Sequence, residues 1–281
     1  MKRLAVLGRP VSHSRSPAMQ NAALEAVGLG GEWAYEAIEV SPAELGELVG
    51  SLAERGFVGA NVTIPHKEAA LELADEASAA AREIGAANTL SFADGRIAAE
   101  NTDAPGLLAA LPRAPGSRGA LVLGAGGSAR AVVWALGGAG AKVDVWNRTP
   151  ERADQLVRSL AAAAAGSADD GPLLAPVSTE QARTSDYDLI VNCTAVGLEG
   201  SGDDPFAALP LEPDRLGPEV ALIDLVYGHC DTELVRRARD LGTEVIDGVE
   251  VLVRQGAESF RIWTGREAPL DVMREAARRG E

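Results

Sequence analysis

Lys67 stands directly behind an apolar run in the segment "FVGANVTIPHK", in a 281-residue chain that has three lysines and twenty-three arginines. Because Pro65 cannot continue the ladder of a sheet, Thr63 and Lys67 are expected at the carboxyl end of a strand, where open α/β sheets bind ligands. A lysine ammonium group can release a proton, whereas a guanidinium stays protonated. The pattern predicts a site at which Lys67 transfers a proton; a solvated surface lysine is the alternative.

The segment 88–103, "NTLSFADGRIAAENTD", begins with a carboxamide side chain and ends with a carboxylate. Two alternating runs flank Asp94 and Gly95, a pair that favours a tight hairpin turn. Asn88 begins this hairpin, and Asp103 ends it just before a helical pattern. A lysine and an aspartate at one cleft can act as an acid/base pair. Asp103 as the N-cap of the following helix is the competing interpretation.

Two serines near the N-terminus, in the segment "GRPVSHSRSPAMQNAA", also allow either a ligand-binding or a helix-capping interpretation. Ser14 and Ser16 flank Arg15 and precede Pro17, which suits the start of a helix. Two hydroxyl groups at a helix N-terminus can hold the carboxylate of a substrate. Alternatively, Ser16 is only the N-cap of that helix.

A glycine-rich turn lies between the apolar run and the helical pattern of "ALVLGAGGSARAVVWAL", residues 120–136. Its spacing matches the G-x-G-x-x-G/A fingerprint of dinucleotide-binding folds. The helix after such a turn offers free N–H groups and its positive dipole end to phosphates. A purely structural tight turn is the alternative. The predicted nucleotide-binding residues are Gly124, Gly126, Gly127, Ser128 and Ala129.

The choice of nucleotide is expected at the end of the next strand, in "VWNRTPERA". An acidic residue there would accept hydrogen bonds from an adenosine 2′-hydroxyl, but this chain has Asn147, Arg148 and Thr149, with Arg152 one turn further on. A guanidinium fork suits a 2′-phosphate, so the segment predicts NADP as the cofactor. Solvated surface arginines are the alternative.

The elements that must position these residues follow an α/β pattern, in which short apolar runs alternate with helical segments. The first part, residues 1–104, has predicted strands at 3–8, 33–40 and 57–64, and helices starting near Pro17 and Pro42. A linker at 111–119 is followed by a second series of apolar strands, buried on both faces by helices. The last forty residues form two helical patterns.

Composition excludes several classes of protein. The formal charge of −15 argues against non-specific binding to nucleic acid. No run of eighteen apolar residues and no signal-peptide pattern occurs, so a cytoplasmic, non-membrane protein is expected. The two cysteines lack C-x-x-C spacing, and His13, His66 and His229 lack metal-ligand spacing; no metal site is predicted.

Seven motifs occur in the same order as in the shikimate dehydrogenase family, and on them the chain resembles that family over nearly its full length. They are "SHSRSPAMQNAA", "GANVTIPHK", "GAANTL", "NTDAPG", "GAGGSARA", "NRTPERA" and "QGAESFRIWTG". The resemblance implies reversible, NADP-dependent reduction of 3-dehydroshikimate to shikimate, on the way to chorismate and aromatic amino acids. It also implies an α/β fold of two domains. Residues 1–104, completed by 249–281, would bind the substrate on a mainly parallel sheet, and 105–248 would form a Rossmann domain for NADP.

The resemblance further implies roles for individual residues. Lys67 and Asp103 would be the catalytic pair, and Thr194, Leu198 and Gly248 would join the cofactor-binding residues named above. Leu198 stands where many relatives have methionine. The implied substrate-binding residues are Ser14, Ser16, Thr63, Lys67, Asn88, Asp103, Tyr227 and Gln255; the proline usual after that tyrosine is missing here.

Two alternatives stay open at this level. One is a quinate/shikimate dehydrogenase that uses NAD, which the absence of an acid at the strand end disfavours. The other is a non-catalytic nucleotide-binding protein on the same scaffold, which should lack the acid/base pair. A monomer and a homodimer suit this fold equally well.

Overall fold

A computed structural model describes residues 1–113, 116–161, 173–198, 204–228 and 230–279. His229 and part of the predicted linker, 114–115, lie outside the described residues. The chain divides into two compact units, which we call the first unit (Met1–Ala109 with Leu252–Glu281) and the second unit (Ala110–Val251).

The first unit contains a six-stranded sheet in the order β2-β1-β3-β5-β6-β4. β1 pairs in parallel with β2 and β3, whereas β5 runs antiparallel to both β3 and β6. Its strands are β1 (Lys2–Gly8), β2 (Trp33–Glu39), β3 (Phe57–Val62), β4 (Glu76–Ala77), β5 (Thr89–Ala93) and β6 (Arg96–Glu100). Its helices are α1 (Ser16–Ala26), α2 (Leu45–Leu52), α3 (Lys67–Glu72), α4 (Ala79–Ile84) and α5 (Asp103–Ala110).

The predicted strands and hairpin of this unit are confirmed, with small differences at the strand ends and one additional short strand, β4. β3 ends at Val62 rather than at residue 64, because the chain leaves the sheet before Pro65 and the side chain of Ile64 is exposed. The two-residue strand β4 is too short to give a periodic signal. At the hairpin, Asp94 and Gly95 both have positive φ, 51° and 72°, as a type I′ turn requires.

The core of the first unit lies between the sheet and its helices. Alternate residues of β3 point to opposite faces, so Ala60 and Val62 pack into an apolar cluster with Leu90 of β5. Asn61 and Thr63 therefore point to the other face. This alternation separates the polar residues of the strand from its core.

The second unit contains a six-stranded sheet in the order β12-β11-β10-β7-β8-β9, with every pair parallel. This is the strand order of the Rossmann fold, which confirms the predicted fold class. Its strands are β7 (Ala120–Leu123), β8 (Val143–Trp146), β9 (Leu174–Pro176), β10 (Leu189–Asn192), β11 (Ala221–Asp224) and β12 (Glu244–Ile246). Its helices are α6 (Gly127–Gly138), α7 (Pro150–Leu160), α8 (Thr179–Thr184), α9 (Pro205–Ala208) and α10 (Glu233–Asp240).

Two helices follow at the C-terminal end, α11 (Gly248–Thr264) and α12 (Leu270–Arg279). α12 packs on α1, and Trp263 of α11 donates a hydrogen bond to the carbonyl of Leu90 at 3.0 Å. From Leu252 onwards the C-terminal helices thus belong to the first unit. Over the described ranges, none of the helices combines the length and apolarity that a membrane crossing needs.

Candidate active site

An ion pair between Lys67 and Asp103 lies at the carboxyl edge of the first sheet. Lys67 is the first residue of α3 and Asp103 is the first residue of α5, so two helix starts deliver the two charges. Nζ of Lys67 lies 2.6 Å from Oδ2 of Asp103, and the two side chains are only 9% and 17% exposed. Such a buried pair is held in a fixed geometry, because separating either charge from its partner is costly.

Asn88 holds the other oxygen of the carboxylate. Its Nδ2 donates to Oδ1 of Asp103 at 2.8 Å and also lies within 3.2 Å of Oε1 of Gln255. The backbone N–H of Thr102 donates to Oδ1 of Asn88 at 2.7 Å, which fixes the orientation of the amide. Each carboxylate oxygen of Asp103 thus has one donor, the amide on one side and the ammonium on the other.

Asn101, rather than Asp103, caps helix α5. Its Oδ1 accepts hydrogen bonds from the N–H groups of Asp103 and Ala104 at 3.1 and 3.2 Å, and its Nδ2 donates to the carbonyl of Ala86. The N-cap interpretation of Asp103 is therefore wrong, and its carboxylate is available to Lys67. Asn two residues before a helix is a recognisable cap, so the sequence contained this signal.

A second layer of polar side chains supports Asn88 from within the sheet. The hydroxyl of Tyr35 donates to Oδ1 of Asn61 at 2.7 Å, and Nδ2 of Asn61 donates to the carbonyl of Asn88 and to Oγ1 of Thr89, each at 3.2 Å. This layer is not among the residues predicted from the sequence. The signal was the alternation of β3, which places a buried asparagine two residues before Thr63.

Gly106 allows helices α5 and α11 to approach closely beside the ion pair. A Cβ atom added at Gly106 would lie only 2.6 Å from the backbone nitrogen of Gln255. Gln255 itself is buried, with its Nε2 bonded to the carbonyl of Leu252. The position of Gln255 next to Asn88 therefore depends on the missing side chain at Gly106.

We expect Gly106→Ala to push α5 and α11 apart and to destabilise the protein by about 1–3 kcal/mol, the usual cost of overpacking. Asp103 and Gln255 lie on these two helices, so KM should rise as well if both residues bind the substrate as the resemblance implies. Urea unfolding and initial-rate kinetics measure the two effects. Gly50→Ala on α2 is the matched control, since a Cβ there meets no atom within 4 Å; it should stabilise the chain by up to about 1 kcal/mol.

The segment after β1 carries Ser14 and Ser16, and we call it the serine loop. It leaves the sheet at the same edge, since β1 pairs in parallel with β3. Arg15 takes the N-cap position of α1 without a side-chain cap, so the interpretation of Ser16 as N-cap is wrong. The hydroxyl of Ser14 accepts the N–H of Ser16 at 3.3 Å. The guanidinium of Arg15 is buried and donates to the carbonyl of Ala277 at 2.5 Å, which ties the loop to the end of α12.

Thr63 is half-buried directly after β3, and its N–H donates to the carbonyl of Leu7 at 2.8 Å. A chain of hydrogen bonds thus runs from Lys67 through Asp103 and Asn88 to Gln255. Thr63 and the serine loop follow strands that end at the same edge of the sheet.

The glycine-rich turn has the geometry that a dinucleotide motif requires. Gly124 has φ +112°, and a Cβ added there would lie 3.1 Å from the carbonyl of Cys193. A Cβ at Gly126 would meet no atom within 4 Å, which leaves the backbone open to a ligand, and Ala129 is fully buried where α6 packs. Gly127 and Ser128 form the first turn of α6, whose N-terminus has no side-chain cap.

The end of β8 presents two exposed guanidinium groups. Arg148 and Arg152 are both exposed, and neither forms an ion pair with any residue in the described ranges. Asn147 donates from Nδ2 to the carbonyl of Thr149 at 2.9 Å, which shapes the turn before α7. This segment can therefore receive an anionic group.

The loop after β10 is organised by Asn192. Its Oδ1 accepts from the N–H of Thr194 at 3.1 Å and from the hydroxyl of Thr194 at 2.7 Å. Leu198, the last described residue of this segment, is 48% exposed although it is apolar. Gly248 lies against the end of β11, where an added Cβ would come within 2.9 Å of the carbonyl of Asp224. The half-buried Tyr227 follows the same strand, in the second unit.

Asp224, at the end of β11, is a fully buried carboxylate that sequence analysis did not assign. Burial raises its pKa from 3.8 to about 6, against the opposing effect of its hydrogen bonds to Thr232, Val226 and Asn192. Because the folded-state pKa exceeds the unfolded one, the stabilisation by the neutral acid is present at low pH and is lost as the pH rises through about 6. At neutral pH the charged carboxylate costs roughly 3 kcal/mol relative to an exposed one.

Comparison with known proteins identifies the family of this fold and site. Residues 6–90 match the sequence family described as "Shikimate dehydrogenase substrate binding domain", and residues 248–278 match "Shikimate 5'-dehydrogenase C-terminal domain". The shikimate dehydrogenase (NADP(+)) of one strain of Thermus thermophilus is 45% identical, over 99% of this chain and 98% of that protein. The same-named protein of Methanopyrus kandleri is 41% identical, over 97% of this chain and 93% of its own length.

Among solved structures, shikimate 5-dehydrogenase of another Thermus thermophilus strain, in complex with NADP(H) and shikimate, superposes with a TM-score of 0.85. It is 42% identical, and the match covers 100% of both chains. With relatives this similar over nearly its full length, the chain belongs to the shikimate dehydrogenase family.

Proposed function

We propose that this member of the family reduces 3-dehydroshikimate reversibly to shikimate with NADPH, and that Lys67 and Asp103 transfer the proton. The observation that carries the assignment is the buried ion pair, with 2.6 Å between Nζ of Lys67 and Oδ2 of Asp103. We further propose that the first unit binds the substrate and the second unit binds NADP.

The chemistry requires a hydride and a proton. Bound NADPH supplies the hydride for the ketone carbon, and the oxygen of that carbonyl then develops negative charge. Lys67 stabilises this charge and donates a proton to the oxygen; in the oxidative direction it accepts one. Asp103 holds the ammonium in place through the contact of 2.6 Å between Oδ2 and Nζ.

The remaining polar residues of the first unit would bind the oxygens of the substrate. Asn88 and Gln255, whose side chains meet at 3.2 Å, are placed for the hydroxyl groups together with Asp103. Thr63 lies at the same edge of the sheet. The hydroxyls of Ser14 and Ser16 would take the carboxylate, and Tyr227 of the second unit would approach that end of the substrate.

The second unit has the features that NADP needs. The open backbone at Gly126 and the N-terminus of α6 suit the pyrophosphate, in the manner of other helix N-termini. Arg148 and Arg152, with Asn147 and Thr149 beside them, suit the 2′-phosphate. Thr194, Leu198 and Gly248 would then lie on the nicotinamide side, where Leu198 offers an apolar surface in place of methionine.

Two observations weigh against the alternatives. The intact ion pair of Lys67 and Asp103 disfavours a non-catalytic nucleotide-binding protein. The two exposed arginines, in a segment without a carboxylate at the end of β8, disfavour NAD as the cofactor of a quinate/shikimate dehydrogenase.

We expect the wild-type enzyme to reduce 3-dehydroshikimate with a kcat/KM for NADPH at least about tenfold above that for NADH, because two guanidinium groups meet the 2′-phosphate. Arg148→Ala and Arg152→Ala should each raise KM for NADPH and leave KM for NADH unchanged. Loss of NADPH absorbance measures both. Arg158→Ala, on the same helix as Arg152 but paired with Asp154, is the control and should behave like the wild type.

A preference for NADH, or unchanged selectivity in both arginine variants, would contradict the cofactor assignment. Absence of turnover with 3-dehydroshikimate, alongside turnover of quinate or another hydroxy acid, would contradict the substrate assignment.

We also propose a cytoplasmic location and small molecules as the only ligands. The formal charge of −15 and the two cysteines support this proposal, since neither favours nucleic acid or an oxidising compartment. A monomer or a homodimer is expected, and gel filtration with light scattering distinguishes the two.

A further inference from the structure

A carboxylate that the proposed chemistry does not use lies at the carboxyl end of β11. Asp224 has no exposed surface, and three donors surround it. The hydroxyl of Thr232 donates to Oδ2 at 2.6 Å, while Nδ2 of Asn192 and the N–H of Val226 donate to Oδ1 at 2.9 and 3.1 Å. These donors come from the ends of β10 and β11 and from the segments that follow them.

Asp224 determines which way the amide of Asn192 points. Nδ2 of Asn192 is shared between Asp224 and the carbonyl of Val196 at 3.2 Å, so Oδ1 must face the N–H and hydroxyl of Thr194. The hydroxyl of Thr194 in turn accepts the N–H of Val196 at 3.1 Å. The carboxylate therefore shapes the loop 193–198 through a single intermediate side chain.

Thr232 supports the same loop from its far end. Its Oγ1 donates to Asp224 and accepts the N–H of Val235 at 3.1 Å, which caps helix α10. Gly197, with φ +98°, lies so close that an added Cβ would be 3.4 Å from the Cβ of Thr232. The start of the loop meanwhile rests against Gly124 of the glycine-rich turn. Asp224 thus holds the loop through Asn192 on one side and Thr232 on the other.

The carboxylate is retained although it is unfavourable for stability. In the described part of the chain no cation pairs with Asp224, and a buried charge without a counterion is costly. Proteins keep such groups chiefly where function requires them. An apolar residue would satisfy the core but would leave the N–H of Val226 and the amide of Asn192 without their acceptor.

We propose that Asp224 is a positioning residue for NADP, which holds the loop 193–198 in its binding shape through Asn192 and Thr232. This proposal rests on the assignment of the second unit to the cofactor. Asp224 contacts neither substrate nor cofactor in this role; it acts through Thr194 and the backbone of its loop.

Direct measurement of NADPH binding to the purified full-length enzyme tests the proposal. Asp224→Ala removes both acceptor oxygens and should raise Kd and KM for NADPH about tenfold or more, because small misplacements of binding groups have effects of this order. Asp224→Asn keeps Oδ1 for Asn192 and Val226 and should return Kd to within about threefold of the wild type. The Kd for shikimate without cofactor should stay within about twofold, since its proposed main ligands belong to the first unit.

Asp188→Asn is the matched control, because Asp188 lies before the opposite, amino end of β10. Its Oδ2 accepts the N–H groups of Arg118 and Gly119 at 2.8 and 3.2 Å, and its Oδ1 accepts Nε–H of Arg118 at 2.9 Å. Replacing one oxygen by an amide group breaks part of this set and should lower Tm without changing NADPH binding. If Asp224→Ala does not fold, Thr232→Val is the variant to measure instead. It should also raise Kd for NADPH.

The proposal is overturned if a folded Asp224→Ala or Thr232→Val enzyme binds NADPH within about twofold of the wild type, since independent sites do not couple by more than this. It is also overturned if Asp188→Asn weakens NADPH binding as much as the Asp224 variants do at an equal loss of Tm. Failure of the proposed function is a different result, since the wild type itself would then not bind NADPH or reduce 3-dehydroshikimate.

Discussion

Replacing Lys67 by alanine is expected to lower kcat by roughly 100- to 10,000-fold, the usual contribution of a general acid. The variant would lose the proposed proton donor to the alkoxide, while Asn88, Gln255 and the serine loop, which we propose as substrate ligands, would remain. KM should therefore change less than kcat, as it does when an interaction is made mainly in the transition state. Steady-state rates with 3-dehydroshikimate and NADPH measure the effect.

Lys67→Arg is the sharper version of this experiment. The guanidinium keeps the positive charge beside Asp103 but stays protonated, so it can stabilise the alkoxide without giving it a proton. We expect kcat to remain close to that of the alanine variant. Lys142→Arg, at an exposed position, is the control and should be fully active. Substantial activity of Lys67→Arg would mean that charge alone is sufficient and that the proton comes from elsewhere.

Asp103→Asn is expected to reduce both activity and stability. The amide cannot neutralise the ammonium of Lys67, whose side chain is only 9% exposed. Removing one partner of a buried ion pair typically costs about 3–5 kcal/mol, and the misplaced lysine should lower kcat by at least about 100-fold. Urea unfolding at pH 7 and steady-state kinetics measure the two effects. Asp94→Asn, at the exposed hairpin turn of the same unit, serves as the control.

A double variant separates the loss of stability from the loss of activity in Asp103→Asn. Adding Lys67→Met to Asp103→Asn removes the unpaired charge, so the free energy of unfolding should recover by most of the loss, whereas kcat should not recover. If stability does not recover, the buried charge is not the cause of the destabilisation. If kcat recovers, Lys67 is not the proton donor.

Local chemistry in the sequence predicted much of the fold and the centre of the site. The Asp94-Gly95 turn predicts a hairpin because few residue pairs tolerate two positive φ angles, and the structure confirms both. The position of Lys67 followed from Pro65, which cannot continue the ladder of a sheet. The parallel pairing of the second sheet followed from apolar runs that alternate with helices, whereas its Rossmann fold was implied by the family resemblance.

Roles that depend on a partner distant in sequence could not be read in the same way. Ser16 and Asp103 are local cases, since each resembles an N-cap by position but the nearby Arg15 and Asn101 take the capping positions instead. Asp224 sits in an apolar run and gives no periodic signal. Its importance arises from Asn192, which the neighbouring parallel strand brings within 2.9 Å. Periodicity reports which face a residue occupies, not which side chain it meets there.

The discontinuity of the first unit bears on how the enzyme is made. The second unit is continuous in the chain, whereas the first needs Leu252–Glu281, which is synthesised after all of the second unit. Gln255 beside Asn88, Trp263 against Leu90 and the anchor of Arg15 at Ala277 all form after that point. Domains generally fold as units during synthesis. We therefore expect the nascent chain to complete the unit proposed to bind NADP before the proposed reactive centre, so that a product terminated after Val251 would lack Gln255 beside Asn88.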